Sequence, residues 1–246
     1  MQPDNWIGYN SLGVYYYKHS LYDDAISQFR KVIELNPKNY LGYSNLGGMY
    51  YFQNKLKEAS EMFEKAFKIK QSYTVASNLG TLYYIQGKYN ESAAKYEEAL
   101  QINDQDYTIW GNLGAAYYWA PGERGKAKDA YLHAIKLAEE ARKVNPMDPD
   151  LISALAGYYS MVGEKAKAAE LADRSLKLSP HDAEIMFRAG CTYEQLGDRK
   201  KAIEWIINSI KNGYSITDVG SQPDLKKLVA DDRYKEGVLK IKKNVK

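Results

Sequence analysis

Apolar residues along this chain recur three and four positions apart over helix-length stretches, and the stretches come in pairs separated by short polar turns. In the first pair, Tyr9, Leu12, Gly13 and Tyr16 fall on one face of a predicted helix over residues 6–19. Ala25, Phe29 and Val32 fall on one face of a second helix over residues 22–35, which Asn36 and Pro37 bring to an end. Asp4 or Asn5 is placed to cap the first helix. Gly13 and Ala25 are small where the two helices must cross closely, and Tyr9, Tyr16 and Phe29 fill the space around them.

The pair repeats with a regular period. Leu12-Gly13 has counterparts in Leu46-Gly47, Leu79-Gly80 and Leu113-Gly114, with weaker copies at Leu155-Ala156 and Ala189-Gly190. Each is followed by a tyrosine: Tyr16, Tyr50, Tyr83, Tyr117, Tyr159 and Tyr193. The small residues lie 34, 33, 34, 42 and 34 positions apart. A period near 34 built from two helices predicts a stack of helical hairpins, in which each unit buries its apolar face against its neighbours. The predicted units span 6–39, 40–72, 73–106, 107–148, 149–182 and 183–214.

In the 42-residue step, one extra residue falls in the turn between Trp119 and Gly125, and seven lengthen the second helix, expected from Ala127 to Val144. Seven residues are nearly two turns, so the inner face keeps its phase. The charged extension from Leu137 to Lys143 is expected to project into solvent, and Asp148-Pro149 restarts the array with a cap and a first-turn proline. After Gly213 the period stops, and residues 215–246 read as C-terminal capping helices. That segment holds a turn at Ser221-Gln222-Pro223, a short helix from Asp224 to Val229 and an amphipathic helix opening at Asp231. A terminal element with one polar face covers the open end of a solenoid.

The succession of Trp110, Leu113-Gly114, Tyr117, Ala127 and Tyr131, with Phe29 and Pro37 at the later positions of the first unit, resembles the tetratricopeptide repeat (TPR) family. The resemblance covers residues 5–214, although units two and three lack the terminal proline. It implies an all-α fold: a right-handed superhelical solenoid of six helix-turn-helix repeats plus a C-terminal capping segment. It also implies a non-catalytic protein-protein interaction module. The run Pro223-Asp224-Leu225, Leu228 and Asp232-Arg233-Tyr234 resembles the tail that closes many bacterial TPR arrays. Such arrays often follow a signalling domain, such as a Ser/Thr kinase, a nucleotide cyclase or a DNA-binding regulator.

Composition narrows the classes further. The 246 residues are 45% hydrophobic and 26% charged, with no apolar run long enough to span a bilayer and no signal segment at the start. Because the repeat begins by Trp6, the chain reads as a fragment of a longer protein, and a cytoplasmic location is expected. A net charge of +3 with both signs mixed throughout gives no reason to expect nucleic acid. The lysines at 235, 240, 242, 243 and 246 read as a solvated end. A single cysteine, Cys191, excludes an internal disulfide and a cysteine metal cluster, and it reads as a small packed residue. His19, His133 and His181 are too scattered for a metal site or a triad, and no glycine-rich phosphate loop is present. Neither catalysis nor a cofactor is implied.

Binding chemistry is expected on the first helix of each pair, the A helix, which lines the concave wall of such a stack. The residue before each Leu-Gly is offset from the buried face: Ser11, Asn45, Asn78, Asn112, Ala154 and Arg188. Three asparagines one repeat apart would form a ladder of amides able to pair the backbone of an extended peptide without reading its sequence. Asn45, Asn78 and Asn112 are similar in this to the asparagine ladder of the O-GlcNAc transferase family. A second row, Tyr17, Tyr51, Tyr84 and Tyr118, follows the core tyrosine and is extended by Trp119. These rings either offer rigid amphipathic area to a groove or pack between helices. Both rows fade after the fourth unit, so the expected peptide-binding groove lies across units one to four, with units five, six and the tail as support.

A chaperone-tail clamp reads a terminal carboxylate with A-helix lysines, and the corresponding positions here are Asn10, Ser44, Ser77 and Gly111. That reading is disfavoured. Two others stay open beside the peptide groove: a self-associating homo-oligomeric scaffold, and a regulatory array that folds back on an upstream domain of the same parent chain. Single-stranded nucleic acid suits stacked tyrosines but not the balanced charge.

Overall fold

The computed structural model describes residues 6–244, all of its regular elements are helices, and no strand occurs among the described residues. Asp4, Asn5 and Lys246 lie outside the described residues. Six consecutive helix pairs account for most of them: α1 (Trp6–Lys18) with α2 (Tyr22–Leu35), α3 (Tyr40–Phe52) with α4 (Leu56–Ile69), and α5 (Tyr73–Ile85) with α6 (Tyr89–Ile102). Then come α7 (Tyr107–Trp119) with α8 (Arg124–Val144), α9 (Pro149–Val162) with α10 (Lys165–Leu178), and α11 (Ala183–Leu196) with α12 (Arg199–Lys211). Short elements follow: α13 (Ile216–Ser221), a 3-10 turn at Pro223–Leu225, α14 (Lys226–Val229) and α15 (Asp232–Asn244). Packing groups the helices into two compact units. The first runs to Asp104 and includes Ala116–Glu123; the second holds Gln105–Ala115 and the chain from Arg124 onward.

Short polar side chains start the A helices from α3 onward. Asn39 accepts from the Leu41 and Gly42 amides at 2.9 and 3.2 Å, and Asp106 accepts from the Thr108 amide at 2.7 Å. Asp148 and Asp182 act the same way on α9 and α11, and Pro149 follows Asp148 inside the first turn. Between the two helices of each pair, the turn residue takes the left-handed conformation. It is Ser20 (φ 59°) and Asn54 (φ 57°) in the first two pairs and glycine in the other four. In the fourth pair this residue is Gly122, one position later in the repeat than Gly87 or Gly163, so the extra residue of that turn falls before it.

The Leu-Gly signature is a helix crossing. A Cβ added to Gly13 would lie 2.6 Å from Cε1 of Phe29, and one on Gly80 would lie 2.7 Å from Cε1 of Tyr96. Gly47 meets Phe63, Gly114 meets Tyr131, and Gly190 meets Ile206 in the same way. In these five pairs the B helix, the second of the pair, lays a large side chain directly on the A-helix backbone, where a Cβ would clash; in the fifth pair the position is Ala156 and the matching B-helix residue is the small Ala172.

Successive pairs are joined by a contact that the sequence pattern does not announce. The core tyrosine of one pair reaches a polar residue on the B helix of the pair before it. The Arg30 guanidinium donates to the Tyr50 hydroxyl at 2.9 Å, and the Tyr83 and Tyr159 hydroxyls donate to Glu64 at 3.1 Å and Glu139 at 2.7 Å. Tyr117 donates to Glu97, and Tyr193 to Asp173. A lysine lies over several of these rings, closest for Lys167 on Tyr159 at 4.0 Å.

Two sequence expectations are corrected by packing. Helix α8 begins at Arg124, three residues before the expected Ala127. Its extension is also less solvated than its charges suggest. Ala138 is buried, and Glu139 accepts from Tyr159 and pairs with Arg142 at 2.7 Å. The charged extension thus carries the tyrosine partner for the next pair, while Lys143 and Glu140 stay exposed. In the tail, α13 is an addition. It is too short to show a period, but Ser215 caps it by accepting from the Asp218 amide at 3.2 Å, and Val219 is fully buried. Leu225, Leu228, Tyr234 and Val238 bury the tail within the second unit. Arg199 fastens it, donating to Glu194 and to the Lys227 carbonyl at 3.0 Å.

Candidate functional site

In the first unit the A helices carry two of the three ladder asparagines. Asn45 is half-buried, and its Nδ2 donates to Oδ1 of Asn10 at 2.9 Å, so part of its capacity is used within the protein. Asn78 is half-buried and has no hydrogen-bond partner among the described residues. The third asparagine, Asn112, belongs to the second unit and is likewise half-buried without a partner among the described residues.

The tyrosine row lies where the end of an A helix meets the start of its own B helix. Tyr17, the most open of the row at 38% exposure, has its ring 5.3 Å from Phe52, and Tyr22 stacks on that same phenylalanine at 5.8 Å. Tyr51 meets Phe52 edge-on at 5.6 Å. The same arrangement returns later in the first unit: Tyr84 lies edge-on to Tyr89 at 5.3 Å, Tyr89 is 6.2 Å from Trp119, and Tyr118 is 5.4 Å from Trp119. The rings form aromatic clusters at the helix ends, partly packed and partly open. Phe52, Tyr22 and Tyr89 belong to them, and their recurrence at matching repeat positions is the signal that would have found them.

A cavity of about 580 Å³ opens in the second unit, within the size range of small-ligand sites. Its walls come from α7, α9 and α11 with Tyr131 of α8, and the tail contributes Gln222 and Asp224. It is open because the wall residues are small. Gly111, Ala115, Ala154 and Gly157 line it, and a Cβ on Gly157 would meet nothing within 4 Å. Gly111 has a different reason for its size: a Cβ there would lie 2.3 Å from the Tyr158 ring, whose hydroxyl donates to the Tyr107 carbonyl at 3.3 Å. Phe187 is stacked on Tyr214 at 4.1 Å.

Polar and charged side chains supply much of the lining of this cavity. Ser153 is only 2% exposed, and its Oγ is buried with no hydrogen-bond partner among the described residues. Arg188 donates from Nε to Glu184 at 2.9 Å and from a terminal nitrogen to Asp150 at 3.2 Å. Asp224 accepts from Gln195 at 3.0 Å. Burial pushes the Cys191 thiol up, with Asp224 and Glu184 adding to the effect, so it stays protonated and is no nucleophile at neutral pH. Burial likewise raises the phenols of Tyr158 and Tyr107, which remain neutral hydrogen-bonding groups.

The sequence assigns this stretch to support, and the structure opens a cavity in it. The available signal was the cluster of small residues at one wall position after another, with Asp150, Glu184 and Arg188 at matching turns of α9 and α11. Among the described residues, no three His, Cys, Asp or Glu side chains are placed to hold a metal ion, and His133 is instead stacked on Trp110 at 4.6 Å. No helix of the described residues is long and apolar enough to cross a membrane.

Family models described as TPR or tetratricopeptide repeat match residues 8–39, 42–72, 80–118 and 183–211. No curated protein matches the chain. Among solved structures, the APC/C hetero-tetramer Cut9-Hcn1 is similar at a TM-score of 0.66 and 15% identity, over 93% of this chain and 44% of that one. The chain therefore spans less than half the length of that relative. PilF of Pseudomonas aeruginosa gives a TM-score of 0.60 at 19% identity, over 96% and 97% of the two chains. A thermophilic TPR protein of Thermus thermophilus gives 0.58 at 20% identity, over 82% and 100%. The matched segments take in the small-residue positions Gly13, Gly47, Gly80, Gly114 and Gly190, the helix pairs of this chain align with these solenoids, and the chain belongs to the tetratricopeptide repeat family.

Proposed function

We propose that this chain is a protein-protein interaction module that binds an extended peptide or partner segment on the walls formed by its A helices. Interaction with protein partners is the general role of the TPR fold. The observation that carries the finer reading is the state of the ladder amides. Asn78 and Asn112 each present a half-buried carboxamide with no hydrogen-bond partner among the described residues. Each has two donors and an acceptor, the complement of a peptide backbone. Asn45 keeps one donor in its bond to Asn10 and has capacity left for a ligand. Tyr17, Tyr51, Tyr84, Tyr118 and Trp119 add rigid rings that lose little rotamer freedom on binding.

Selection from a random peptide library on the native chain and on an Asn45→Ala, Asn78→Ala, Asn112→Ala variant tests the reading, with circular dichroism to show that both are folded. Enrichment on the native chain alone supports it. Equal enrichment on both keeps peptide binding and moves it off the amides. No enrichment on either refutes it and favours self-association or a folded partner, such as a domain of the same parent chain.

A further inference from the structure

Resting on that peptide-binding reading, we propose that the cavity of the second unit holds a lysine or arginine side chain of the bound segment. Four charged residues line it: Asp150, Glu184, Asp224 and Arg188. Three carboxylates against one guanidinium leave the lining net negative, opposite in sign to the +3 of the whole chain. The guanidinium is also occupied, since Glu184 and Asp150 accept from it at 2.9 and 3.2 Å. An anionic ligand would have to displace those carboxylates and then face them, whereas a cationic side chain uses the lone pairs that Arg188 leaves on Glu184 and Asp150 and the charge of Asp224, which accepts from the neutral Gln195 amide.

The surface between the carboxylates suits the rest of such a side chain. Tyr107, Tyr158 and Phe187 line the cavity, giving apolar faces for the methylene stem and ring faces for a cation. The small wall residues leave room for the peptide backbone to approach. Two uncommitted polar groups await that backbone. Ser153 Oγ, on a residue 2% exposed, is buried without a partner, and Asn112 lines the same space with its amide unengaged among the described residues. A buried hydroxyl left unpaired carries a desolvation penalty that a ligand hydrogen bond removes.

The test uses the intact chain and a displayed random peptide library, selected in parallel on the native protein and on an Asp150→Asn, Glu184→Gln, Asp224→Asn variant checked by circular dichroism. The most enriched peptide is then synthesised with each lysine or arginine replaced in turn by norleucine or by glutamate. Enrichment of Lys or Arg on the native chain that fades on the variant is expected. Norleucine at the anchor should weaken binding about tenfold, and glutamate more. Binding to the unmodified chain should also weaken as ionic strength rises, a readout that needs no variant. Enriched peptides without basic residues, an unchanged Kd with norleucine, or equal basic enrichment on both proteins overturns the basic anchor while leaving peptide binding in place. No enriched peptide at all overturns both.

Discussion

Replacing Gly47 and Gly48 by alanine, one at a time, separates the helix crossing from helix propensity. The two residues are neighbours inside α3, so each substitution gains about the same 1 kcal/mol of intrinsic helix preference. At Gly48 an added Cβ meets nothing within 4 Å, and the gain is kept. At Gly47 the Cβ falls 2.9 Å from Cδ1 and 3.0 Å from Cε1 of Phe63, whose side chain is only 3% exposed. That ring is held on all sides, and overpacking of this kind costs about 1–3 kcal/mol. Gly48→Ala should therefore stabilise the chain, while Gly47→Ala should be less stable than Gly48→Ala by about 1–3 kcal/mol. Urea unfolding followed by circular dichroism gives the comparison. Hydrogen exchange of α3 and α4 should accompany it, because a repeat array need not unfold in one step. Equal stabilities, or a more stable Gly47→Ala, would mean that Phe63 has room to move and that the glycine does not set the crossing.

Two further predictions follow from the turns and the tyrosines. Ser20 holds φ 59°, a conformation that the third, fifth and sixth pairs give to glycine, so Ser20→Gly should raise stability by about 0.5–1 kcal/mol in the same urea assay; a loss would mean that the serine side chain matters more than its backbone. Burial, the charge of Glu64 and the hydrogen bond to it push the Tyr83 phenol from its ordinary 10 up to about 12. Because the folded chain keeps this proton longer than the unfolded chain, its contribution is whole below pH 10 and is lost as pH rises through about 12. Tyr83→Phe should flatten the alkaline end of the stability curve, and a folded chain whose tyrosines all ionise near pH 10 would contradict this.

What was legible in the sequence is what repeats with a fixed letter. Gly13, Gly47, Gly80, Gly114 and Gly190 recur because one geometric demand, a side chain lying on the A-helix backbone, recurs. The turn insertion before Gly122 was legible for the same reason. The tyrosine ties between pairs were not, because their partners are Arg30, Glu64, Glu97, Glu139 and Asp173, alike only in polarity. Helix α13 was too short to show a period. Of the candidate site, the amide and tyrosine rows could be read as rows, but not that Asn45 would turn to Asn10 or that Tyr17 and Tyr51 would gather on Phe52. The cavity was hidden because it is made by small side chains and completed by Asp224, a residue far along the chain from Asn112.

Hydrogen–deuterium exchange of the chain with and without a library-selected peptide tests the central claim most directly. Binding on the A-helix walls predicts protection concentrated in α3, α5, α7, α9 and α11, with the B helices unchanged. Protection confined to the B helices or to the tail would contradict it.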